Sequence, residues 1–335
     1  MTLYIKSSTI NKVLRVVLPI VFGGAILWWM YRGFQWDEVS TALQKDMRWE
    51  WMLLSMPFGV LAQVLRGLRW RQLLKPLDEH PRRWTCIRAI FLSYASSLVV
   101  PRIGELLRCG VLSRDEGTKI SRALGTVVTE RMVDIAMILL ITFITVAWQV
   151  PVFVHFMGST GMSVHSIVAG FSATGWLVTG ASVVLVGMMA YFILLRFHVL
   201  DRTRQVAKGL LEGLLSIRHI RKKGLFWFYS LGIWVSYFLH FYLTFYCFSY
   251  TASLGPTAAL VAFVVGTFAV IVPTPNGAGP WHFAVKTVLM LYGVEGNNGA
   301  MFVLIVHSLQ TMLVAILGIV GLTGSSKKEQ PNTAF

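Results

Sequence analysis

Charge is scarce in this sequence. Only 13% of its 335 residues are Asp, Glu, Lys or Arg, about half the roughly 25% of a soluble domain. A soluble fold of this size and composition would leave too much apolar surface in water. Acidic residues are the scarcer kind, 15 against 30 Lys and Arg, for a formal net charge of +15. Cysteine is nearly absent. Cys86, Cys109 and Cys247 are too few and too scattered for a disulfide framework or a zinc site, and read as free thiols. Also missing are a Ser/His/Asp set, a P-loop, an HExxH motif and paired-cysteine metal spacing, so no cofactor and no metal is expected.

What is present is apolar. Hydrophobic residues make up 55% of the chain, and mean hydropathy is +0.64. Few charges and many aromatics are the reverse of a disordered composition. The bilayer is the natural solvent for such a chain. The basic excess then reflects the bias of cytoplasmic loops rather than nucleic-acid binding. Lys6, Lys12 and Arg15 precede an apolar run to Met30 that is long enough to span, which predicts an uncleaved first helix.

Apolar stretches fall at 14–31, 50–65, 85–100, 133–150, 173–195, 225–247, 257–273 and 299–322, with a shorter piece at 281–293. Segment 66–88 carries seven Lys/Arg, 102–131 six and 196–223 eight, whereas 151–172 and 248–256 carry none. With both termini cytoplasmic, one arrangement reconciles these counts. Stretch 85–122 enters and leaves on the cytoplasmic side, and 257–293 on the outer side. That places 26 of the 30 basic residues inside.

Each of these two stretches has a break in its middle: Val100-Pro101-Arg102-Ile103-Gly104-Glu105, and Val272-Pro273-Thr274-Pro275-Asn276-Gly277-Ala278-Gly279-Pro280. Proline and glycine interrupt helical hydrogen bonding, and backbone groups freed in a membrane must face protein or water. The prediction is an all-α polytopic membrane protein of about six full spans plus two broken re-entrant helical hairpins. It forms a single membrane domain over 1–335, built as an inverted three-plus-three repeat of about 1–150 and 173–322, the arrangement of alternating-access transporters. Residues 199–221 read as an amphipathic helix on the inner leaflet, 35–48 as a short polar helix outside, and 324–335 as a cytoplasmic tail.

Candidate site residues cluster at the breaks. Arg102, Glu105 and Arg108 recur at spacings of three, and Glu130, Arg131 and Asp134 enter the following span. Ionisable groups at membrane depth are costly unless paired. Either the arginines bind a phosphate that the carboxylates orient, or the set is a salt-bridge lattice fixing the hairpin. The second break offers Asn276, Gly277, Gly279, Trp281, His282 and Lys286, whose glycine-rich helix start suits an anion. His240 and His307 sit near mid-membrane, where packing roles outnumber proton coupling.

Four motifs carry a family resemblance. They are Arg66-Gly-Leu-Arg69-Trp70-Arg71, Pro101-Arg102-Ile-Gly104-Glu105-Leu-Leu-Arg108, Ala123-Leu-Gly125-Thr126-Val-Val-Thr129-Glu130-Arg131-Met-Val-Asp134, and Pro273-Thr-Pro275-Asn276-Gly277-Ala-Gly279. Over nearly its whole length the chain resembles the lysylphosphatidylglycerol synthase transmembrane-region family, also called flippase-like or uncharacterised membrane protein family 0104. The resemblance implies an inner-membrane protein of lipid translocation, without the soluble aminoacyl-transferase domain of bifunctional relatives. Asn276 replaces the first glycine of the usual Gly-Gly-Leu-Gly, and His282 stands where a glutamate is expected.

The reading is therefore a lipid transporter of the bacterial inner membrane that handles a phosphate-bearing amphiphile, and not an enzyme. Membrane lipids are the expected partners, with a homodimer or a partner lipid synthase left open. The alternative is a membrane glycosyltransferase with a polyprenyl-phosphate donor, using Asp37 and Glu38 as its acidic pair.

Overall fold

A computed structural model describes residues 7–34, 36–101, 103–160 and 220–323. Arg102, the apolar stretch at 173–195, all but the end of the 199–221 surface helix, and the 324–335 tail lie outside the described residues. Every regular element described is helical. The main ones are α1 (Ser7–Tyr31), α2 (Trp49–Leu74), α3 (Arg83–Ser97), α4 (Ile103–Glu116), α5 (Ile120–Thr160), α6 (Lys223–Tyr242), α7 (Gly255–Ala269), α8 (Pro280–Leu291) and α9 (Gly296–Leu322). Two units can be distinguished, 1–141 with 210–335, and 142–209. Of the second, only 142–160, the continuation of α5, is described.

Three helical stretches are long and apolar enough to cross a membrane: Trp49–Leu77, Ile120–Gln149 and Gly296–Leu322. The chain is a multi-pass membrane protein. Ile20–Tyr31 and Gly255–Ala269 are apolar but shorter. The run at 225–247 divides, with α6 ending at Tyr242 and a tighter turn continuing over Leu243–Cys247. The polar segment expected at 35–48 is a five-residue helix, Asp37–Thr41, followed by a wide turn over Ala42–Asp46.

Both breaks seen in the sequence separate short helices. α3 and α4 have 15 and 14 residues, and α7 and α8 have 15 and 12. At 1.5 Å per residue the longest arm reaches about 22 Å, short of the roughly 30 Å hydrocarbon core. The arms of each pair pack on each other. In the first pair the approach is close at Gly104, where an added Cβ would collide with the Ser93 carbonyl. In the second, Asn276 (φ 51°) and Gly279 (φ 92°) turn the chain through left-handed backbone. Gly279 also packs against the Gly23 carbonyl of α1, so a side chain there meets both strain and a clash.

Long helices frame the pairs. α2 packs on α3 and α6, and α9 packs on both α3 and α8. One apolar cluster holds Trp70, Cys86, Ile90, Cys109 and Leu112, which seats the first pair on α2 and α5. All three cysteines are buried free thiols.

Polar ties pin the open end of the first pair. Arg88 and Asp115 form a buried ion pair across it. Beside them the Glu116 carboxylate accepts from Thr85 Oγ1 at 2.5 Å and from Arg82 Nε at 2.8 Å. Partial burial pushes Glu116 up, but these two hydrogen bonds and the Arg82 charge outweigh it, and its pKa lies below the ordinary 4.5. A depressed carboxylate stabilises the fold fully above its unfolded value, and that stability is lost as pH falls through the folded value. Glu116→Gln should therefore lower the melting midpoint at pH 7, by about 1–3 kcal/mol of stability. Melting curves against pH should show the difference from wild type closing below pH 4.5.

Candidate functional site

Two polar regions are built within 1–141 and 210–323. The first joins α2, α4 and α5. Arg66 and Arg69 are three residues apart on α2, while Glu130 and Asp134 are one turn apart on α5. Arg69 Nη2 bridges Glu130 Oε1 at 3.1 Å and Asp134 Oδ1 at 2.7 Å. Arg66 Nη1 takes the other Asp134 oxygen at 2.7 Å, and Arg108 Nη1 takes the other Glu130 oxygen at 2.5 Å. Glu130, Arg69 and Arg108 are at most 1% exposed.

Aromatic rings complete the cage. The Arg108 guanidinium lies 4.7 Å from the centre of the Trp70 ring, and Trp70 Nε1 donates to Thr126 Oγ1 at 2.9 Å. Arg66 lies between Tyr94 and Tyr237, 5.9 and 5.8 Å from their ring centres, and the two hydroxyls are hydrogen-bonded at 2.9 Å. At the edge of the lattice Arg131 Nε pairs with Glu105 Oε1 at 2.7 Å, with the two side chains 42% and 39% exposed.

Of the residues the sequence singles out, Glu105, Arg108, Glu130, Arg131 and Asp134 thus fall into one network. Arg108 faces Glu130 and Trp70 and has almost no exposed surface, whereas Arg131 and Glu105 are accessible. Arg66 and Arg69 belong to the network although the charge count places them with loop residues. Their spacing of three on an otherwise apolar helix was the available signal.

The second region is a pocket of about 830 Å³ lined by α1, the second break and α9, with Leu98, at the end of α3, on its wall. Asn276 Nδ2 donates to Thr311 Oγ1 at 2.7 Å. Thr311 Oγ1 lies 3.5 Å from His307 Nδ1, and His307 Nε2 lies 3.1 Å from the Asn276 carbonyl. With His307 neutral and protonated on Nε2, every bond in this loop has a donor and an acceptor. His282 lies tilted against it, with ring centres 4.5 Å apart and planes at 59°, and its Nδ1 accepts the Gly279 N–H at 3.4 Å. Leu27, Trp28 and Leu304 form apolar wall and Arg32 supplies a cation.

Asn276 and His282 therefore line the pocket. Gly277, Gly279 and Lys286 shape or flank the second hairpin without lining it, and the Lys286 stem packs toward Gly299 of α9. His307, Thr311 and Tyr31 join the site from distant sequence. His240 is used in packing, its Nδ1 2.8 Å from the Ser55 carbonyl. The Glu38 carboxylate accepts from Asn297 Nδ2 at 2.9 Å. Among the described residues no group of three His, Cys, Asp or Glu could hold a metal ion.

No curated protein and no solved structure is matched by the sequence. Residues 16–318 match the family described as the lysylphosphatidylglycerol synthase TM region, and the chain belongs to that family.

Proposed function

We propose that the protein is a transporter that moves a phosphate-bearing lipid between the leaflets of the inner membrane, without catalysing a reaction. The observation that carries this reading is the pocket of about 830 Å³ whose wall joins Pro275, Asn276 and Ala278 of the second break to Leu98, at the end of α3 just before the first break. Its wall is mostly apolar, with a polar group of Asn276, His307, Thr311 and Arg32 on it, as an amphiphile requires. A charged headgroup crossing bare hydrocarbon carries a prohibitive desolvation cost, which a polar pocket removes.

In this reading the two short-armed pairs are re-entrant, one from each leaflet, with both termini cytoplasmic. The order long helix, short pair, long helix occurs twice and serves as an inverted repeat whose halves rock to alternate access. Asn276, His307, Thr311 and Arg32 receive the phosphate, and Leu27, Trp28 and Leu304 take the glycerol shoulder and chain. The Arg66–Arg69–Arg108–Glu130–Asp134 lattice is the rigid base of the first pair. Its accessible edge, Arg131 with Glu105, meets the headgroup before it reaches the pocket.

The test is translocation in liposomes carrying phosphatidylglycerol, phosphatidylethanolamine or a polyprenyl phosphate, each labelled with NBD on the chain. The expected result is that dithionite quenches label from both leaflets when protein is present and only the outer leaflet in its absence. Protein liposomes that match protein-free ones for all three lipids would reject the proposal.

A further inference from the structure

A second concavity, of about 900 Å³, lies at the opposite end of α2 from the Trp49 terminus. Three separate segments close around it: the end of α2 and the turn after it, the start of α3, and the start of α6. Five of its lining residues are cations, Arg71, Lys75, Arg83, Arg221 and Lys222, and one is an anion, Asp78. Among the described residues, none of these five forms an ion pair. Arg71 instead spends its Nε on the Pro81 carbonyl at 2.7 Å. Arg71, Lys222 and Arg83 all act repulsively on Lys75. Like charges gathered in a concavity with too few counter-charges raise its potential and draw in an anion.

We propose that this pocket is a binding site for a doubly or more highly charged phosphate group, a phosphomonoester or a diphosphate. Lining charges of five positive and one negative leave an excess of four. A singly charged phosphodiester would leave most of that excess uncompensated, whereas a dianion or trianion removes much of it. The first residues of α6 add a helix N-terminus of 20 residues to the same wall, and its dipole favours an anion there. Leu68, Ile220 and Leu225 supply an apolar side to the pocket, against which the organic part of the ligand rests. The site shares no residue with the lattice or with the pocket at the hairpin breaks. It does not depend on transport, because a protein that only binds lipid would hold the same anion.

The test is calorimetric titration of the full-length protein, in phosphatidylcholine nanodiscs at 150 mM salt, with inorganic pyrophosphate. The expected result is saturable binding that weakens at least tenfold in Lys75→Gln/Lys222→Gln. The charge-matched control Lys45→Gln/Arg48→Gln, at the Trp49 end of α2 and outside the pocket lining, should stay within twofold of wild type. Two competitors then identify the source. Dihexanoyl phosphatidic acid displacing pyrophosphate at least tenfold better than glycerol 1-phosphate identifies a lipid headgroup, and equal displacement identifies a soluble phosphate ester. Absence of saturable binding, or equal weakening in the two double variants, would overturn the proposal and leave only diffuse attraction to a basic surface.

Discussion

Glu130→Gln is expected to destabilise the protein by roughly 3–5 kcal/mol, the cost of breaking a buried ion pair from one side. Glu130 gives one oxygen to Arg69 and the other to Arg108, and it has no exposed surface. The lattice of Arg66, Arg69, Arg108 and Arg131 with Glu105, Glu130 and Asp134 already has one more cation than anion. Glutamine leaves Arg108 a neutral amide oxygen and the face of Trp70, and a desolvated cation–π contact of about 2 kcal/mol does not replace the lost counter-charge. Arg131→Gln supplies the contrast. Its pair with Glu105 is about two-fifths exposed on both sides, and its longer contact with Asp134, at 3.6 Å, adds to the 2.7 Å bonds that Asp134 keeps from Arg66 and Arg69, so the loss should stay near about 1 kcal/mol. Arg108→Met combined with Glu130→Gln should cost less than the two changes summed, because the stranded charge is removed with its partner. Melting of the detergent-solubilised variants measures all three. A Glu130→Gln midpoint within the spread of Arg131→Gln would mean the lattice does not hold the first hairpin.

The largest functional effect is expected from Ser308→Glu. Ser308 lies on α9 in the lining of the break pocket, one turn from Leu304 and beside His307. A carboxylate there would stand within about 6 Å of an anionic headgroup bound in the pocket. At an effective dielectric of about 20, two like charges at that distance repel by roughly 3 kcal/mol. That corresponds to a fall in translocation of about a hundredfold, since each 1.4 kcal/mol is a factor of ten. Ser308→Gln has nearly the same bulk and no charge, and should retain most of the activity. The pair separates repulsion from steric blockage, and the dithionite assay reads both. Equal rates for the Glu and Gln variants would mean that no anion passes this position.

The two breaks could be read from sequence because proline and glycine act locally. Pro101, and Pro275 through Gly279, interrupt helices whatever packs around them, and the structure places short-armed helical pairs there. Glu130 and Asp134 were equally plain as a one-turn pair on an apolar helix. Arg66 and Arg69 were not, because their partners lie 61 to 68 residues away. A long arginine stem at a helix end looks alike whether its head reaches water or a buried carboxylate. The same limit applies to Lys286, which was expected beside the outer glycines. The rotation of α8 turns its stem toward α9 and Gly299. His282 and His307 are 25 residues apart in sequence, and only the packing of α8 on α9 brings their rings into contact. Four residues counted as cytoplasmic charge, Arg66, Arg69, Arg88 and Arg108, are buried in ion pairs. The bias in charge is therefore partly structural.

The most direct measurement is a cryo-electron microscopy map of the protein in nanodiscs of native phospholipid. The expected result is headgroup density in the break pocket, with its phosphate among Asn276, His307 and Thr311 and its chain leaving along Leu27 and Trp28. A pocket closed by side chains, or filled by acyl chain with no phosphate density, would contradict transport through it.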